Sequence, residues 1–179
     1  MKAFFPCLLI LAVALAWAAD SVWKPVSIRG GECQCLVPTQ PVPSKSVING
    51  QQSMFYTSDA EQGRFVIGLT PLPSQIEPTM RRMILAKPGG DGIKHLLEAT
   101  VSAFAKGGNA KVVATTFGVD RGLPAEFAVL KNASLLLNMR VYLNPKRVYM
   151  FIAASDDDNS LKFFNSVKIP GVLSPGKAG

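Results

Sequence analysis

A single long amphipathic segment separates two groups of short β-type segments, and this order limits the fold more than any other feature of the sequence. Between Asp91 and Lys106 one stripe of residues follows the i, i+3, i+4, i+7 spacing of a helical face: Ile93, Leu96, Leu97, Thr100, Val101 and Phe104. The stripe predicts a helix over 91–106, with Asp91 as its N-cap and Gly107-Gly108 as its stop. A weaker helical pattern covers 77–85.

Alternating apolar and polar residues predict strands on both sides of this helix. Before it they cover 32–37, 47–59 with a break near Asn49-Gly50, and 64–69, with a hairpin loop at 60–63 in which Gly63 takes a positive φ. We expect no regular strand over 39–43, because Pro41 and Pro43 lie there. After the helix the strands cover 110–119, 125–130, 135–143 and 148–154, and a last short helix covers 160–166. This order predicts an α+β fold with an antiparallel meander.

The N-terminus has the three zones of a secretory signal. Lys2 gives a positive start, residues 4–17 are almost wholly apolar, and Ala16 and Ala18 are small residues at the cleavage positions. We expect cleavage after Ala18 and a secreted or periplasmic protein. An uncleaved anchor is the alternative, although the apolar run is shorter than the about 20 residues that span a bilayer. The predicted organisation is a signal peptide (1–18), a lead-in segment (19–30), a single domain (31–169) and a flexible tail (170–179).

The cysteine and histidine content limits the chemistry. The chain has one histidine and three cysteines in 179 residues, which excludes the usual Cys/His structural zinc site. Cleavage after Ala18 leaves Cys33 and Cys35. On a strand their Cα atoms lie about 6.5–7 Å apart, at the upper limit for a disulfide. We expect two buried free thiols; a strained or intermolecular disulfide is the alternative.

The charge pattern argues against nucleic-acid binding. The formal net charge is +7, but the basic residues are scattered, with Arg81-Arg82 and Lys146-Arg147 as the only doublets of the mature chain. Weak attraction to an anionic surface is the remaining consequence of this charge.

Three polar features of the sequence are candidate sites. His95 lies beside the apolar stripe with Glu98 at i+3, and we interpret the pair as a solvated helix face. The acidic run 156–159 lacks the glycine and glutamate of an EF-hand and fits a helix cap. The glycine-rich segment 88–92 lacks a phosphate-loop ending and fits a hinge. We therefore assign no catalytic, cofactor-binding or metal-ligating residue, and expect no cofactor.

Several short sequence segments resemble those of the PsbP/DcrB-like group of exported bacterial proteins. They are Gly31–Pro38, Arg64–Pro73, Gly122–Phe127, Arg140–Leu143, Arg147–Tyr149 and Phe163–Val167. The resemblance covers 30–169 and implies an α/β/α sandwich around a central antiparallel sheet, with one long helix and a short C-terminal helix. Cys33 and Cys35 depart from the group, in which larger apolar residues are commoner there.

These observations predict an exported noncatalytic binding or scaffold domain, not an enzyme. Its partner would be an unknown envelope protein, and we expect a monomer. The alternative is a carrier of a small apolar ligand, with a pocket between helix and sheet lined by Phe104, Phe117, Phe127 and Tyr142.

Overall fold

The computed structural model describes residues 22–48, 51–133 and 135–169. The predicted signal peptide and C-terminal tail lie outside these residues. The strands of the described part are β1 (Lys24–Ile28), β2 (Cys33–Val37), β3 (Val42–Ile48), β4 (Gln51–Ala60), β5 (Gly63–Pro71), β6 (Lys111–Asp120), β7 (Leu123–Asn132), β8 (Leu135–Leu143) and β9 (Arg147–Ala154). They form a seven-stranded antiparallel sheet in the order β3-β4-β5-β9-β8-β7-β6, and a separate two-stranded sheet, β1-β2. Three α-helices accompany them in this part: α1 (Glu77–Ala86), α2 (Asp91–Gly107) and α3 (Asp157–Ser166).

The elements agree closely with those that the sequence predicts after residue 50. Gly63 has a φ of +129°, which confirms its predicted role at the β4–β5 hairpin. The N-cap of α2 was predicted wrongly, because Gly90 takes that position and Asp91 is the first helical residue. Strand β9 is the middle strand of the sheet and is buried from Val148 to Ala153, which explains its almost unbroken apolar sequence.

The N-terminal third differs from the prediction in two places. The lead-in segment contains β1, which pairs with β2 along its whole length. Residues 42 and 43 belong to β3, although proline was expected to prevent a strand there. Pro43 is tolerated because β3 is an edge strand, where a missing N–H costs no ladder hydrogen bond on the open side. The predicted break at 49–50 separates β3 from β4; these two residues lie outside the described ones.

The large sheet divides the interior into two cores. On one face α1 and α2 bury residues such as Ile84, Leu97 and Val101 against β7, β8 and β9. On the other face the β1-β2 hairpin and α3 bury Cys35 and Phe163 against β5 and β9. Alternation along each strand assigns successive side chains to opposite cores.

The β1-β2 hairpin is fastened to the end of α3 by polar contacts. Leu36 N donates to Ser166 Oγ at 2.8 Å, and the backbones of Gln34 and Lys168 exchange two hydrogen bonds. An ion pair of 2.6 Å joins Glu32, beside β2, to Arg147 at the start of β9. The hairpin and α3 therefore cover the same face together.

Candidate functional site

The clearest concave site lies beside α3, where the helix leaves part of the sheet face uncovered. The cleft has a volume of about 390 Å³. One stripe of α3 forms its wall, and the outer strands β6, β7 and β8 form its floor. The wall is Asp157, Ser160, Leu161 and Phe164, and the floor includes Thr116, Phe127, Val129, Asn138 and Arg140.

Arg140 is held between two aromatic rings at this site. Its Cζ lies 5.3 Å from the ring centroid of Phe127 and 4.5 Å from that of Phe164. Both distances are within the range of cation–π attraction. Sequence reasoning did not single out Arg140 as a site residue. Alternation along β8 places Arg140 on the face of the sheet that α3 covers. A charged residue at such a position is the signal by which the site could have been predicted.

A polar cluster fixes the end of α3 against the β6–β7 turn. The turn residues Arg121 and Gly122 have φ values of +54° and +75°. Arg121 Nη2 donates to the carbonyl oxygen of Phe164 at 2.9 Å. Tyr142 Oη donates to Asp120 Oδ2 at 2.7 Å. Burial is the main reason that the pKa of Tyr142 rises to about 12, and nearby Arg140 opposes the rise.

Glu126 is a buried acid on the opposite face of the sheet. Only 1% of its surface is exposed, and no donor lies in hydrogen-bonding position to either carboxyl oxygen. Burial raises its pKa, the neighbourhood of Thr115 and Lys94 lowers it, and Glu98 adds to the rise. Glu126 does not line the cleft beside α3, and Lys94 and Glu98 of α2 are the charged groups near it. It therefore belongs to the α2 side of the sheet.

A second concavity lies beyond the C-terminal end of α2, on the α2 face. Its volume is about 720 Å³, and its apolar lining includes Val66, Phe104, Leu137 and Ile152. The four aromatic residues expected to line one pocket are not brought together. Phe104 and Phe117 pack in the α2 core, whereas Phe127 and Tyr142 pack in the α3 core. That expectation of a single shared pocket was wrong.

The three polar features considered in the sequence lie on a helix face, in a helix cap and in a turn. His95 is exposed on α2, with its Nδ1 3.2 Å from Glu98 Oε2, which confirms the solvated helix face. Asp156 Oδ1 accepts from Asn159 N at 2.7 Å, which confirms the cap of α3. The glycine-rich segment forms the turn in which Gly90 N donates to Lys87 O at 2.9 Å. In the described ranges no three His, Cys, Asp or Glu side chains are grouped to hold a metal.

Cys33 and Cys35 are free thiols, and both are buried. Burial raises the pKa of each to about 12, with Glu32 adding to the rise at Cys33 and Cys33 adding to that at Cys35. The structure thus agrees with the expected pair of buried free thiols. A protonated thiol is a poor nucleophile and metal ligand, so the pair is structural.

Strand β6 is an edge strand of the sheet that the described residues form, and it lies next to the cleft. It is ten residues long and carries exposed valines at Val112, Val113 and Val119, with a bulge between Val112 and Ala114. The other edge, β3, is seven residues long and contains Pro43 and Lys45. Proline and lysine are residues by which edge strands avoid unwanted pairing.

One solved structure gives the chain a precedent for its fold. The solution structure of cyanobacterial PsbP (CyanoP) from Synechocystis sp. PCC 6803 superposes with a TM-score of 0.51 and 9% sequence identity, over 86% of this chain and 95% of that one. The chain therefore has a PsbP-like fold, as its sequence phrases indicated. No protein-family model and no curated protein matches the sequence. Among the described residues no helix is long and apolar enough to cross a membrane.

Proposed function

We propose that this chain is an exported, noncatalytic binding domain that engages a protein of the cell envelope through the edge of β6. The observation that supports the proposal is the open edge of this long strand, with Val113 59% and Val119 52% exposed. An edge strand presents unpaired N–H and C=O groups, to which an extended segment of a partner adds as a further strand. The bulge near Val113 leaves Ala114–Asp120 as the regular part of the template.

The lining of the cleft supports a noncatalytic role. It includes the hydroxyl groups of Thr115, Thr116 and Ser160, but within the described residues neither histidine nor cysteine. Asp157 also lies in the lining, and the hydrogen bonds of the Ser160 side chain are to Asn138 and Ser155 instead. The hydroxyl of Ser160 is bonded to that of Ser155 at 2.8 Å. A serine nucleophile needs a general base within hydrogen-bond reach, and a second serine is not one.

The remaining parts of the proposal come from the sequence and the resemblance in fold. The three zones of residues 1–18 support export to the periplasm or beyond. The two cores on either side of the sheet support the α/β/α sandwich of PsbP-like proteins. A monomer whose β6 edge is open is the form that leaves this strand free for its partner.

Site-specific photo-crosslinking in the native envelope tests the partner surface. A photo-reactive amino acid at Val113 reports on β6, and the same substitution at Val47, which is 69% exposed on β3, is the matched control. We expect one reproducible crosslinked protein from position 113 and none from 47. Crosslinks from 47 alone, or none from 113, would contradict the proposal.

A carrier of a small apolar ligand is the second candidate function. The groove of about 720 Å³ beyond α2 favours it, because Val66, Phe104 and Leu137 give it an apolar lining. Native mass spectrometry of protein purified from its host would reveal a bound ligand as added mass. Leu137→Trp fills the groove and should remove that mass, whereas Leu85→Trp, at an exposed position of α1, should not. An unliganded mass for the original chain would contradict the carrier role.

A further inference from the structure

The cleft beside α3 contains a positive charge that the described chain leaves without a counter-ion. No carboxylate oxygen of the described residues lies within 4.0 Å of the guanidinium nitrogens of Arg140. Asp120, on the same side of the sheet, accepts from Tyr142 and lies 3.7 Å from Arg121. Its charge is therefore engaged by other groups.

The two phenylalanine rings prepare Arg140 to bind an anion. Phe127 and Phe164 contact the guanidinium through their ring faces and fix a side chain that would otherwise lose entropy on binding. Arg140 is half-buried beside these rings, and partial removal of its charge from water strengthens the attraction to a negative charge. The N–H edge of the guanidinium is the part that remains to bind, and its fork of donors matches a carboxylate.

The rest of the cleft defines the remainder of the ligand. Val129 and Leu161 give it apolar surface, and its volume of about 390 Å³ lies in the range of small-molecule sites. Asp157 lies on the wall of the cleft and is negatively charged. It would repel a ligand with two negative charges more strongly than a ligand with one. We propose that this cleft binds a monocarboxylate attached to an apolar chain, with Arg140 as the carboxylate-binding residue. Binding of a carboxylate in this cleft does not depend on a partner at the β6 edge.

Calorimetric titration of the purified protein tests this proposal with two carboxylates. Octanoate represents a free acid, and an acetylated tripeptide that ends in leucine represents the C-terminus of a protein chain. Their amides, octanamide and the peptide amide, remove the charge and keep the shape. We expect at least one carboxylate to bind about tenfold or more tightly than its amide. If only octanoate binds, the natural ligand of the cleft is a free acid. If only the peptide binds, the natural ligand is the C-terminus of a protein chain.

Variants separate the cleft from other basic surfaces. Arg140→Gln should weaken carboxylate binding about tenfold or more, whereas Arg81→Gln, on exposed α1, should leave it unchanged. Leu161→Trp fills the cleft from an exposed position and keeps the charge, so it should also abolish binding without affecting folding. Binding by neither carboxylate, equal binding of acid and amide, or full affinity in Arg140→Gln or Leu161→Trp would overturn the proposal.

Discussion

Tyr142 and Asp120 form a 2.7 Å hydrogen bond that joins the C-terminal end of β8 to the last residue of β6. The tyrosine is fully buried, and its hydroxyl is the donor. Burial raises the pKa of this phenol to about 12 from the usual 10.0, and the neighbouring carboxylate adds to the rise. The bond therefore requires a protonated phenol.

Alkaline pH should destabilise the protein through Tyr142. Because its pKa is raised on folding, its contribution is fully present below pH 10 and is lost as pH rises through the folded value of about 12. Tyr142→Phe should cost about 1 kcal/mol of unfolding free energy at neutral pH and should reduce the loss between pH 10 and 12. Urea denaturation across this range measures both effects. An unchanged alkaline loss in the variant would contradict the assignment.

Glu126 should make the stability depend on pH in the opposite sense from most carboxylates. Burial raises its pKa, so its contribution is present at low pH and is lost as pH rises through the raised folded value. Glu126→Gln should therefore gain stability relative to the original chain as the pH is raised from 5 to 8. The measurement is the difference in unfolding free energy at the two pH values. Glu61→Gln, at an exposed turn, should show no such difference.

Cys33 and Cys35 should resist thiol reagents in the native state. With a pKa of about 12 for each, only about one thiol in ten thousand is a thiolate at pH 8, and burial blocks access as well. Peptide mass spectrometry should find both residues unlabelled by iodoacetamide in the folded protein and labelled in urea. Rapid native labelling would show that the β2 face is open, and a disulfide between Cys33 and Cys35 would contradict the pair of free thiols.

The ion pair between Arg147 and Glu32 should contribute to docking of the β1-β2 hairpin. Both side chains are about three-quarters buried, and removal of the arginine leaves Glu32 partly buried with a weaker partner in Arg29. We expect Arg147→Gln to cost about 1–2 kcal/mol in chemical denaturation. Arg64→Gln breaks the exposed pair with Asp59 and should cost less than about 0.5 kcal/mol. Equal costs would contradict this difference.

Gly63 should be intolerant of a side chain. Its φ is +129°, and a Cβ would lie 2.4 Å from the carbonyl oxygen of Ala154 and 2.5 Å from the Cβ of Ser155. Gly63→Ala should cost about 3 kcal/mol or more, because strain and a backbone clash combine. Gly107→Ala meets no atom within 4 Å at the end of α2 and should be neutral or stabilising. Thermal denaturation of the two variants gives the comparison.

Periodicity predicted the elements whose burial is one-sided and regular. The stripe of α2 and the alternation of β8 needed no tertiary information, because each buries one face against the sheet. The boundary between β3 and β4 was predicted as a break near Asn49-Gly50, a strong hairpin signal, but β3 was predicted to begin at residue 47 and begins at Val42. Pro43 led to the wrong prediction that residues 39–43 contain no strand. Whether proline is tolerated in a strand depends on the place of that strand in the sheet.

The cleft could not be predicted in the same way. Alternation directs Arg140 and Phe127 to one face, but only the packing of α3 decides which part of that face is left open. Phe164, the second ring of the aromatic pair, belongs to α3 and lies 24 positions after Arg140 in the sequence. The isolation of Glu126 from hydrogen-bond partners likewise depends on α2, which precedes it in sequence and covers it in space.

Because the sheet separates the α2 core from the α3 core, their side chains interact only through the shared backbone. Truncations of Leu97 in one core and Phe163 in the other should therefore have costs that add within about 0.5 kcal/mol. The same independence leaves the two layers free to diverge in sequence at different rates. The α3 layer can acquire a new ligand preference while the α1 and α2 layer keeps the fold stable.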